Sequence, residues 1–132
     1  MDADVIFLQE FDEEIEHQLK EDFYISKDIV VDEKPDTLIA VSKHTFNNKP
    51  LNTEEELKKM NPDAKNFFDK LPKTSFMFFD DLVLIGVHLT SGKKNKEQIE
   101  IMLKALNELR RSDPARHFIC GGDVNSYFGV NH

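Results

Sequence analysis

The chain has 132 residues, with 25 Asp and Glu against 17 Lys and Arg, for a net charge of -8. That length carries one domain with one hydrophobic core rather than two. The acidic balance argues against a generic basic nucleic-acid-binding surface, the lone cysteine excludes an internal disulfide or a cysteine-rich zinc site, and no apolar run approaches membrane-spanning length.

Met1-Asp-Ala-Asp4 carries no basic, apolar leader, so an intracellular protein is expected. Residues 4–9 are almost continuously apolar, as a strand covered on both faces would be. Glu10 stands where that apolar run stops. Residues 11–20 place Phe11, Ile15 and Leu19 at helical spacing, and Asp12, Glu13 and Glu14 favour the N-terminal end of an amphipathic helix. His17 falls away from that stripe and is expected in solvent. The acid-rich span from Asp12 to Asp36 reads as a solvated face. Residues 23–26, 29–31 and 36–43 are strand-like, and Lys34-Pro-Asp36 is a turn signal between them, so an antiparallel meander is expected.

Residues 44–74 form a helical insertion. Thr53-Glu-Glu-Glu56 is a capping box opening a helix through Met60, and Asn61-Pro62 ends it. A second short helix over residues 63–71 gathers Ala64, Phe67, Phe68 and Leu71 on one face. The insertion is either a substrate-facing excursion or a helical cover on the sheet, and its Phe and Leu content favours the cover. Residues 75–79 and 82–89 flank Asp80-Asp81 as two hydrophobic strands of a hairpin. His88 emerges at the end of the second, just before Thr90-Ser-Gly92.

Residues 95–111 give the clearest helix, with Ile99, Met102, Leu103, Leu106 and Leu109 as its stripe. Asn95 and Gln98 fit its start, Arg110 and Arg111 suit its dipole, and Ser112-Asp-Pro114 stops it. Lys93, Lys94 and Lys96 form a basic patch that either steers a phosphate or is simply solvated. The helix returns the chain as a crossover to a last strand.

That strand, His117-Phe-Ile-Cys-Gly-Gly-Asp-Val-Asn-Ser126, is the stretch around which the rest is organised. Alternation along an extended backbone points Asp123 and Asn125 the same way and Val124 inward. A carboxylate and an amide together can position water, a hard metal ion and a phosphate oxygen. Gly121 and Gly122 would let backbone or substrate approach closely, and Cys120 fills the core beside them. Glu10, His88, Asp123 and Asn125 all stand at strand ends, where sheets crossed by helices gather ligands.

The order "DVIFLQE", "LVLIGVHLTSG", helix, "HFICGGDVNS" resembles the endonuclease/exonuclease/phosphatase superfamily of metal-dependent phosphoesterases. The resemblance implies an α/β (α+β) fold: part of a DNase I-like sandwich of mixed, largely antiparallel sheets flanked by helices. It also implies a magnesium or manganese ion on Glu10, His88 on the scissile phosphate, and Asp123 with Asn125 handling water and phosphate. The implied partner is a phosphate-ester substrate, with DNA, RNA, a lipid head group and an inositol phosphate all open. Full-length members of that family carry an N-terminal strand ending in a metal-site Asn and a late Asp-His pair, and neither stands in this sequence. The chain is therefore expected to be a piece of a larger fold or a degenerate copy. In the second case it would be an inactive module binding nucleic acid, a phosphorylated ligand or protein.

Overall fold

The computed structural model describes residues 4–28, 35–46 and 48–123. Its elements are β1 (Val5–Gln9), α1 (Glu13–Leu19), β2 (Phe23–Lys27), β3 (Thr37–Ser42), α2 (Thr53–Lys59), α3 (Pro62–Asp69), β4 (Thr74–Phe78), β5 (Leu82–His88), α4 (Asn95–Ser112) and β6 (His117–Asp123). They build two three-stranded sheets, one ordered β1-β3-β2 and the other β4-β5-β6. The first is antiparallel throughout, whereas the second pairs β4 and β5 antiparallel and β5 and β6 parallel. This is a mixed α+β fold.

Side-chain alternation sorts the apolar residues into layers. On one face of β5, Val83, Ile85 and Val87 pack with Ala64 and Phe68 of α3 and with Met102, Ala105, Leu106 and Leu109 of α4. On its other face, Leu84 joins Ile39 and Val41 of β3 and Met77 of β4, with Val5 and Phe7 of β1 alongside. The two sheets therefore stack on each other. Leu38 and Ala40 turn to the outer side of β3 and meet Phe11 and Phe23. Each fully buried aliphatic side chain stabilises the fold by about 1.5–3 kcal/mol, so β3 and β5, buried on both faces, anchor the molecule.

The helical insertion is the expected cover, since Leu57, Met60, Ala64, Phe67 and Phe68 all join the core on the outer side of the second sheet. The hairpin forms at Asp80-Asp81, where Phe79 N–H donates to the Leu82 carbonyl at 2.7 Å. The meander is rearranged. β2 and β3 are antiparallel neighbours, but β1 adds to the other side of β3 and leaves β3 central. Residues 29–31 lie outside the described residues.

Helix starts also differ from the sequence expectation, because side-chain oxygens compete for the first free amides. Asp12 caps α1 by accepting from Ile15 N–H at 2.9 Å. Phe11 is thereby left off the helix and buried beneath the first sheet, while Ile15 is exposed. Asn52, not Thr53, caps α2, accepting from Glu55 N–H at 3.1 Å. Asn61 caps α3 with Pro62 at its first turn, so Asn61-Pro62 opens a helix as well as ending one. At α4 no side chain caps the start. Asn95 and Gln98 bind the Thr90 backbone and hydroxyl and tie down the preceding loop instead.

Candidate active site

Parity along the strands decides what reaches the sheet ends. His88 shares the side of Leu84 on β5 and so faces the first sheet, not the helices. On β6, Phe118 and Cys120 face the helices, and Asp123 takes the opposite side. The parallel register sets His88 directly opposite Asp123. In the first sheet, Gln9 pairs with Thr37, so Glu10 after β1 and Asp36 before β3 become neighbours on the same rim.

Both glycines of β6 admit a close approach, Gly122 that of backbone, as expected, and Gly121 that of a side chain. A Cβ on Gly121 would stand 2.6 Å from the Phe7 ring, so this glycine admits an aromatic side chain of β1 rather than a substrate. Gly122 has φ +119, and a Cβ there would run into the Val87 carbonyl oxygen. Close packing of β6 on its neighbours is what these positions provide.

Glu10, Asp36, His88 and Asp123 thus line one open cleft of about 430 Å³, together with Lys73, Leu89, Thr90 and Ser91. His88 Nδ1 lies 2.5 Å from Asp36 Oδ2 and Nε2 lies 3.8 Å from Asp123 Oδ2. With Nδ1 donating to Asp36, Nε2 is the ring nitrogen turned to the Asp123 side. Asp36 also receives the Glu10 amide, at 3.2 Å on Oδ1 and 2.9 Å on its carbonyl. Those bonds hold Glu10 at φ 52, the only positive φ at a non-glycine among the described residues. Left-handed backbone at a bulky side chain costs energy and concentrates at functional sites.

Three of the four residues expected from the sequence, Glu10, His88 and Asp123, are brought together here. Asn125 lies outside the described residues. Asp36 was legible only as a turn residue, although the antiparallel pairing of β1 with β3 puts the start of one beside the end of the other. Lys73 was missed for the same reason: it precedes β4, antiparallel to β5, and its carbonyl accepts the His88 amide at 3.3 Å. Lys93, Lys94 and Lys96 are exposed, and none of them lines the cleft. Cys120 is not a nucleophile for this site. Burial pushes its thiol up to about 11, and its Sγ packs 3.7 Å from Met102 Sδ.

No group of three or more His, Cys, Asp or Glu arranged to enclose a metal ion occurs among the described residues. The donors on the rim nonetheless suit a hard cation, since magnesium typically binds one or two carboxylates and keeps several waters. Glu10 is exposed and the Asp123 side chain is 45% exposed, so both can take part in such binding. No helix of the described residues is long and apolar enough to cross a membrane. Comparison with protein families, with curated proteins and with solved structures found no match to this chain.

Proposed function

We propose that this chain is a divalent-metal-dependent phosphoester hydrolase, a phosphodiesterase or nuclease of the endonuclease/exonuclease/phosphatase type. The observation that supports this reading is the convergence of Glu10, His88 and Asp123, from three strands far apart in sequence, on one cleft. Glu10 would hold Mg2+ or Mn2+, which when bound supplies Lewis-acid polarisation of a phosphoryl oxygen. Asp123 orients the attacking water and takes its proton. His88, with Nδ1 tied to Asp36, presents Nε2 to a phosphate oxygen, and once protonated it donates there to the charge that builds in the transition state. Asn125 takes a second phosphate oxygen. Three carboxylates would repel a phosphodiester, so a bound cation and Lys73 at the cleft wall are needed to balance them.

Hydrolysis of bis(p-nitrophenyl) phosphate and of single- and double-stranded DNA and RNA with Mg2+ or Mn2+ tests the reading. Glu10→Ala, His88→Ala and Asp123→Ala are each expected to lower turnover by about 100-fold or more, and chelation with EDTA to abolish it. Equal turnover in the wild type and all three variants would reject the hydrolase reading in favour of an inactive module that binds phosphorylated ligands.

A further inference from the structure

Behind the cleft lies a carboxylate that the proposed chemistry does not use. Asp28, at the end of β2, is only 2% exposed. Its Oδ1 accepts three hydrogen bonds: from Asp36 N–H at 2.8 Å, Thr37 N–H at 2.6 Å and the Thr37 hydroxyl at 3.1 Å. Its own amide donates to the Thr37 carbonyl at 3.2 Å. Asp28 Oδ2 has no hydrogen-bond partner among the described residues. Among the described residues, what this buried acid holds is the two-residue step that carries Asp36 into β3.

Asp36 in turn makes the two contacts that shape the site, one to the His88 ring and one to the Glu10 amide. We propose that Asp28 is the positioning residue of the cleft: by fixing Asp36 through one oxygen, it sets the His88 tautomer and holds Glu10 in its left-handed conformation. Asp36 precedes the strand and lies outside its ladder; the Glu10 amide holds its carbonyl, and Asp28 is what holds its own amide. Side-chain oxygens that accept backbone amides fix the chain locally. Here three hydrogen bonds converge on a single atom, out of reach of water. The catalytic part of this inference rests on the phosphoester-hydrolase reading of the cleft, whereas the structural part does not.

The full chain carries the test. In the metal-free protein, Asp28→Ala is expected to remove the hydrogen-bonded Nδ1 proton signal of His88 from the NMR spectrum and to move the Glu10 amide resonance. In hydrolysis of bis(p-nitrophenyl) phosphate with Mg2+ it should lower kcat by about tenfold or more with KM within about twofold, since misplacing a catalytic group costs rate rather than binding. Asp28→Asn keeps an oxygen in the Oδ1 position and puts its amide nitrogen where Oδ2 has no bond to lose. It should restore the His88 signal and bring kcat within about threefold of wild type. Should the alanine variant not fold, Thr37→Val removes one of the three bonds and is expected to shift the Glu10 amide and lower kcat by about threefold. An unmoved His88 proton and Glu10 amide in Asp28→Ala, or in Thr37→Val where that variant stands in, would overturn the inference. So would an asparagine variant no better than alanine. A wild-type chain that hydrolyses nothing would reject the hydrolase reading alone, because the resonances still decide the role of Asp28.

Discussion

The two ends of the β5–β6 strand pair carry charge in opposite ways. At the end near Leu82 and His117, Arg116 donates to Glu56 at 2.6 Å and to the Asp80 carbonyl at 3.3 Å, approaches Asp113 at 3.6 Å and stacks over the Phe78 ring. Glu56 is 8% exposed and also meets Lys59 at 3.2 Å. The Arg116 guanidinium beside it holds its carboxyl below the usual carboxylate range. At the other end, Glu10, Asp36 and Asp123 stand around a single imidazole and Lys73 in an open cleft. One end has its charges matched; the other holds an excess of negative charge facing solvent. Matched charges pin α2 to the turn before β6, whereas a local excess of one sign in an open cleft can draw a ligand of the other sign.

The largest effect that bears on this contrast is structural. Arg116→Ala leaves a buried Glu56 without its main partner and is expected to destabilise the chain by about 2–3 kcal/mol, read from the urea midpoint. That is below the cost of breaking a fully enclosed pair, because the cleft beside Glu56 and Arg116 admits water. Asp123→Ala, at the other end, where the side chain is 45% exposed, should shift the same midpoint by less than about 1 kcal/mol. Similar losses at both ends would erase the distinction between a pin and a site.

The next effect follows from pH. Glu56 has its folded-state carboxyl held below the 4.5 of a free glutamate. Its contribution is therefore present above about pH 4.5 and lost as pH falls through the depressed value. Urea unfolding of the wild type and of Arg116→Ala between pH 6 and pH 3 should converge on the acid side, since the variant has already lost most of what protonation removes. Parallel curves would mean that Glu56 is not the titrating partner.

What the sequence made legible divides along a similar line. Strands such as β5 and helices such as α4 could be placed because their apolar spacing alone decides them. Leu103 stands in the apolar stripe of α4 yet is 52% exposed. The buried face is narrower, running through Met102, Ala105, Leu106 and Leu109. The helix caps went astray by one residue, as at Asn52 and Thr53, where neighbouring polar side chains compete for the same amides. In the site, Glu10, His88 and Asp123 could be picked out because each ends an apolar run. Asp36 could not, for its role comes from the β1–β3 register and from Asp28 behind it. Spacing within one segment reveals the ends of strands, but not which ends will meet.

The smallest effect is the most diagnostic, because its sign differs between the two ends. Glu10 has φ 52, a conformation that costs a residue with a Cβ roughly 1–2 kcal/mol and glycine nothing. Glycine gives back part of that gain through the greater freedom of its unfolded chain, roughly 0.5–1 kcal/mol. Glu10→Gly is therefore expected to stabilise the protein by about 0.5 kcal/mol in urea unfolding while removing its turnover. A glutamate kept for the fold, like Glu56, can only lose stability on truncation. If Glu10→Gly destabilises the chain, its carboxylate is holding the structure together, and the cleft end is a second pin rather than a site.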